Sequence, residues 1–180
     1  LLRPKLDVSR WTWLPLLSGM AVAAAIRERT GLEAKLKWPN DVLVHGKKIC
    51  GILVEAVDNG GLLDGVVVGM GVNTAMTPSQ LPIATATSLA ILGAKCDSSE
   101  VVAHILLALD GYYRRWESGE DLRPDYVRMC ETIGQEVRVV VSDDEEYVGL
   151  AEGVDEAGCL LARVDGELKV FAAGDVYHLR

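Results

Sequence analysis

Lys37-Trp38-Pro39-Asn40-Asp41 places one cation and two oxygen-bearing side chains within five residues. Pro39 biases Trp38 toward an extended backbone and ends a strand there. Asn40 and Asp41 are turn formers, because their side chains can bond the local backbone. The segment therefore reads either as a surface turn beside a tryptophan or as a cation and two ligating groups at a strand end, where open α/β folds often hold ligands. Lys48 lies at the start of an otherwise apolar run, Ile49-Cys50-Gly51-Ile52-Leu53-Val54. Gly51 removes a side chain from the middle of that strand, a usual mark of close approach by a ligand or another backbone. Lys48 is a solvated strand-edge lysine or, if turned inward, a point charge able to neutralise a carboxylate or phosphate. Gly69-Met70-Gly71-Val72-Asn73 has two glycines on one face of a strand and a polar residue at its end. It is not a dinucleotide fingerprint, since the third glycine and the helix that should follow are missing. His45 and His104 fit a solvated turn and a helix position. No Ser/His/Asp or Cys/His arrangement supports a nucleophilic mechanism, and the acidic run at 143–146 reads as a hairpin tip.

The elements that must position these residues are legible in outline. Residues 12–30 predict a helix, with Pro15 in the first turn, an apolar stripe of Leu16, Leu17, Met20, Ala24 and Ile26, and Gly31 at the left-handed stop. Residues 33–38, 49–57 and 65–72 predict strands, the last two apolar enough for coverage on both faces. Asp58-Asn59-Gly60-Gly61 is hairpin chemistry. Residues 1–4 read as the tail of a strand. A short helix is expected at 87–92, closed by Gly93. A longer one is expected at 99–118, capped by Ser98 or Ser99, with Val102, Ile105, Leu106, Leu109, Tyr113 and Trp116 on one face. Arg123-Pro124-Asp125 opens a further helix running toward Gly134. After Gln135 the texture changes to short strands at 136–141, 146–152, 159–164 and 168–172, as in a small β-barrel. The chain thus divides into residues 1–133 and 134–180.

Composition narrows the function classes. A net charge of −8 argues against a general grip on nucleic acid by this segment. No apolar stretch approaches the ~20 residues of a membrane span. Cys50, Cys96, Cys130 and Cys159 are scattered without metal-ligand spacing, so buried free thiols and a reducing cytoplasm are expected, with no protein-held metal site.

Taken in order, the segments at 37–41, 48–53 and 69–73, followed by the barrel, resemble the biotin protein ligase family over the whole chain. The resemblance implies an α+β fold: a mixed β-sheet ligase core of the class II synthetase-like, biotin/lipoate ligase type, then a Src-homology-3-like barrel. It implies an ATP-dependent enzyme that forms biotinyl-5′-AMP and transfers biotin to a lysine of a biotin carboxyl carrier protein or carboxylase carrier domain. It leaves room for a homodimer. By resemblance Lys48 is the catalytic cation, touching the biotin carboxylate and the α-phosphate. Gly51, Leu53, Gly69 and Gly71 flank biotin. Lys37, Asn40 and Asp41 lie by the ATP phosphates and Mg2+, Asn73 lies near the nucleotide, and Arg180 reaches back toward it. The alternatives are a non-catalytic fragment that binds a partner or nucleotide, and a lipoate-protein ligase relative. The family's Gly/Arg-rich loop, which closes over biotin upstream of the first helix, finds no match in these residues. The expectation is a part of a longer gene product that lacks much of the biotin pocket.

Overall fold

The computed structural model describes residues 1–61 and 63–179. Its first unit is a four-stranded antiparallel sheet in the order β1-β2-β3-β4: Ala34–Lys37, Asp41–Val44, Lys47–Asp58 and Leu63–Val72. Parallel pairing enters only as single bridges, Lys48 to Ala86 and Leu36 to Cys130. Leu2 bridges Val66, so the N-terminal residues do touch the outer edge of β4.

Helix α1, Trp13–Thr30, lies across one face of this sheet and ends at Gly31, whose φ of 70° is left-handed. The expected single apolar stripe is too narrow a description. Nearly all of its residues from Trp13 to Ile26 are buried, Ser18 and Gly19 included, while Ala24 is only partly so. A helix buried around most of its circumference has no polar face for periodicity to detect. Gly19 lets the sheet come close, since a Cβ there would stand 3.2 Å from Leu36 Cδ2 and 3.5 Å from Ile52 Cδ1.

Helix α2, Ser98–Glu117, packs against α1 and is capped by Asp97, whose carboxylate accepts from Ser99 N; Ser98 and Ser99 are the first helical residues instead. Its buried line is Val101, Ile105, Leu109 and Trp116, whereas Val102 and Leu106 are exposed. One neighbouring helix covers a narrower arc than the apolar residues occupy. Helix α3, Arg123–Met129, stops well before Gly134. There the backbone leaves the helix to bond β1, with Glu131 N donating to Leu36 O. The helix expected at 87–92 is instead an extended stretch followed by turns, because Thr87 N donates to Lys48 O and pins it beside β3.

The second sheet has the order β8-β7-β6-β5-β9: Glu167–Phe171, Leu160–Val164, Glu145–Val154, Glu136–Ser142 and Asp175–His178. It is antiparallel throughout, and no ladder joins β8 to β9 among the described residues, so strand pairing does not close the expected barrel. β9 is a fifth strand that the sequence pattern did not announce. Val137, Val139, Ala151, Leu160, Ala162, Phe171 and Val176 fill its interior.

Coverage of β3 and β4 on both faces is not found. Cys50 and Ile52 face the core, but Leu53 is 61% exposed, and Val67, Gly69 and Gly71 are exposed on the other side. That open face carries the site.

Candidate active site

The Lys37-to-Asp41 segment is a tight hairpin: Lys37 ends β1, Asp41 starts β2, and the Trp38–Pro39 peptide between them is cis. Asn40 continues the pairing, with its backbone O accepting from Ile52 N at 2.9 Å and its Nδ2 donating to Ile52 O at 2.8 Å. Trp38 is buried. Its backbone N–H donates to Thr132 Oγ1 and its indole N–H donates to Gly158 O, both in or beside the second unit.

Register then aligns the candidates. Lys37 pairs with Asp41, Asp41 with Gly51 and Gly51 with Gly71, one row across all four strands. Leu53 pairs with Gly69 in a row beside it. Paired residues share a face and residues two apart along a strand share it too, so these positions form one patch with glycine floors.

Lys48 joins this patch through a feature that alternation hides. Simple alternation would put residues 48 and 51 on opposite faces. Between Val42 and Leu43 the register jumps, Val42 pairing with Cys50 but Leu43 with Lys48, so Ile49 is an extra residue. A β-bulge of this kind re-aims the neighbouring side chain. Lys48 consequently lies over Gly51, and a Cβ on Gly51 would stand 3.1 Å from Lys48 Cε and 3.2 Å from Nζ. Lys48 Nζ is 2.5 Å from Asp41 Oδ1. An ammonium this close to a buried carboxylate oxygen commits one N–H donor to it. Its other two donors keep free directions for another acceptor.

The backbone of Lys48 is clasped by a segment that sequence reasoning passed over. Lys48 N donates to Thr85 O and Lys48 O accepts from Thr87 N. Thr87 O accepts from Asn73 Nδ2 at 3.0 Å, and Asn73 O accepts from Leu89 N. Residues 85–89 thus fix Lys48 and Asn73 together, leaving Asn73 Oδ1 as its free polar atom. Cys50, on the reverse face, is inert as a nucleophile: burial first, and the charge of Asp41 next, push its thiol up to about 12.

At the other end of the row, Lys37 Nζ lies 5.8 Å from the Tyr177 ring centroid in β9. His178 beside it is held below its ordinary value by burial and by Lys37, and its Nε2 meets Thr132 Oγ1 at 3.1 Å. Neither residue had a signal in the sequence, because β9 was not foreseen. Arg180, the remaining nucleotide-side candidate, lies outside the described residues. Cys50, Cys130 and Cys159 are buried and Cys96 partly so, all as free thiols. No group of three or more metal-binding side chains occurs among the described residues, and no helix there is long and apolar enough to cross a membrane.

The molecule joins a mixed helix-and-sheet core, with a cation over a glycine-floored sheet face, to a small β unit. Comparison with known proteins identifies that arrangement. Residues 4–73 match the biotin/lipoate A/B protein ligase family and residues 132–179 the biotin protein ligase C terminal domain, together well over half of the chain. The chain is 36% identical over 178 residues to the biotin--[acetyl-CoA-carboxylase] ligase of Mycobacterium tuberculosis, covering 96% of this chain and 65% of that protein. It is 32% identical to the bifunctional ligase/repressor BirA of Bacillus subtilis, covering 98% of this chain and 56% of that one. The biotin protein ligase of Aquifex aeolicus in complex with biotin and ATP superposes with a TM-score of 0.82 at 26% identity, covering 99% of this chain and 75% of that one. The chain belongs to the biotin protein ligase family, and it spans somewhat over half the length of these curated relatives.

Proposed function

We propose that this chain carries the nucleotide side and one wall of the biotin site of an ATP-dependent biotin protein ligase, with residues 1–133 as ligase core and 134–180 as C-terminal domain. The observation that carries this is the placement of Lys48 over Gly51 and against Asp41, at the centre of a glycine-floored row on an open sheet face. In the first step a biotin carboxylate oxygen bonds to the α-phosphorus of ATP, and the bond to pyrophosphate breaks. Negative charge gathers between two anionic reactants, where a fixed ammonium stabilises the transition state more than the ground state. In the second step the amine of a carrier-domain lysine attacks the acyl carbon and AMP leaves.

Gly51, Gly69 and Gly71 offer a flat floor for a fused ring, and Leu53 an apolar wall for an alkyl chain. Asn73 and Asn40 serve the nucleotide. Arg180 is assigned to the nucleotide by family resemblance alone. Mg2+ would be carried in by the nucleotide, which needs only one or two protein carboxylates to hold it; Asp41, whose Oδ1 faces Lys48, would be the carboxylate on this face to hold it and would help neutralise phosphate charge there. The free thiols suit a cytoplasmic protein.

The test is pyrophosphate exchange into ATP by the gene product that carries this chain. Exchange should require biotin, and Lys48→Ala should reduce it by about a thousandfold or more; an active variant would remove Lys48 from the mechanism. Because the matching family model spans biotin and lipoate ligases, lipoate in place of biotin is the matched control, and faster exchange with lipoate would reassign the substrate.

A further inference from the structure

A cavity of about 170 Å³ lies where the two units meet, and it shares no residue with the Lys48 face. Arg10 borders it just before α1, Trp13 at the first residue of α1 and Trp116 in the last turn of α2. Leu122 closes it from the loop that follows α2, and Glu156 from the turn at 155–158 of the second unit. Trp13 Nε1 donates to Glu156 O at 2.7 Å, which fixes one side. An ordered water needs only ~10–15 Å³ of such space, whereas drug-sized ligands occupy ~300–1,000 Å³. The cavity has the size of a small metabolite.

Its wall holds donors that meet no acceptor. Trp116 is 1% exposed, and its indole N–H makes no hydrogen bond. The Nε of Arg10 is buried and equally unpaired, and among the described residues the Arg10 guanidinium enters no ion pair. The acids of the wall do not supply the missing acceptor. Both oxygens of Asp121 face Arg123, at 2.9 Å each, and both oxygens of Glu120 are held by Arg115. Glu156 forms no ion pair, and its charge reaches Arg123 only from a distance. A buried donor without an acceptor costs stability, so two of them beside one cavity call for a partner.

We propose that this cavity binds a free α-amino acid with an apolar side chain. Its carboxylate takes the Arg10 guanidinium and the Trp116 indole N–H, its ammonium turns toward Glu156, and its side chain lies against Trp13 and Leu122. Charge selects this class. One uncommitted cation and one uncommitted carboxylate border the same cavity without pairing, which complements a zwitterion. A phosphate or a dicarboxylate would meet Glu120, Asp121 and Glu156 with Arg10 alone free to answer it. The planar fork of an arginine holds a carboxylate through two parallel bonds, and an indole N–H can serve only as a donor. A ligand here touches both units, so it should also tighten their junction.

Calorimetric titration of the gene product with leucine and two of its analogues tests this, with tryptophan fluorescence as a second readout. Leucine should bind. Leucinamide, which lacks the carboxylate, and isocaproate, which lacks the ammonium, should each bind at least about tenfold more weakly. Arg10→Gln should weaken leucine by about tenfold or more, and Trp116→Phe, which keeps a ring without the N–H, by about fivefold. Glu156→Gln, a change at an exposed position, should keep the melting temperature and weaken leucine while leaving isocaproate unchanged. Isocaproate bound as tightly as leucine, and indifferent to Glu156→Gln, would overturn the amino-acid reading in favour of a plain carboxylate such as a peptide C-terminus. Unchanged leucine affinity in Arg10→Gln would overturn the site itself. So would the absence of heat and of fluorescence change with leucine at millimolar concentration, which would leave the two donors to ordered water.

Discussion

A methyl group at Gly51 would meet Lys48 Cε at 3.1 Å and Nζ at 3.2 Å, whereas at Gly69 it would meet only Leu53 O at 3.7 Å. The two glycines sit on the same sheet face yet guard different things. Gly51 is empty so that Lys48 can cross it to Asp41; Gly69 is empty over open space. Gly51→Ala should therefore swing the flexible lysine end aside, at little cost to the fold, and lower biotin-dependent exchange on the order of a hundredfold through misplacement of one cation. Gly69→Ala should leave Lys48 in place, so any loss should fall on the KM for biotin and not on kcat. Steady-state kinetics of the pair, beside their melting temperatures, separates the roles. Equal kcat losses in both would mean that Gly51 matters only as floor.

β9 docks through His178, and its attachment is sensitive to protonation. Thr132 Oγ1 accepts from Trp38 N, so its own proton is free to donate to His178 Nε2. A protonated imidazole could not accept it and would also face Lys37. Burial first and Lys37 second hold the group below its ordinary 6.5, so the neutral ring is the folded form. The folded value lies below the unfolded one, so its stabilisation is complete above about pH 6.5 and is lost as pH falls through the folded value. His178→Gln should flatten the fall in urea-unfolding stability between pH 7 and pH 5. The carboxylates lowered by ion pairs or local hydrogen bonds, such as Asp121 and Asp125, act in a more acidic window. An unchanged slope would mean that β9 is held by its backbone ladder alone. This docking also marks where sequence reading ran out. Turn residues and apolar runs made α1, β3 and β4 legible, and the motif residues did converge on one face. β2 stayed hidden because Asp41 was read as turn and four residues make too short a pattern. The bulge at Ile49 was equally hidden, since an inserted residue breaks the very alternation used to assign faces. β9 has four residues and a single buried side chain, Val176.

At the scale of the molecule, the turn at 155–158 in the second unit is held by three side chains of the first. Trp13 Nε1 donates to Glu156 O at 2.7 Å, Thr12 Oγ1 to Ala157 O at 2.5 Å and Trp38 Nε1 to Gly158 O at 3.0 Å. Asp155 closes the turn from within, its Oδ1 accepting from Ala157 N and Cys159 N. Trp38 is one residue from Lys37 and spans both the hairpin that aims Lys37 and the contact that sets the C-terminal domain. The consequence is that the two units should melt as one, since neither buries Trp38 alone. Trp38→Phe keeps most of the apolar volume but leaves Gly158 O without its donor in a buried place, at a cost of about 1–3 kcal/mol. For a chain of this size each kcal/mol moves the midpoint by roughly 2–4 °C, so a fall of several degrees is expected. Near-ultraviolet circular dichroism and calorimetry on the variant should still give coincident transitions if the remaining clamps couple the units. Two separated transitions would show instead that Trp38 is the coupling itself.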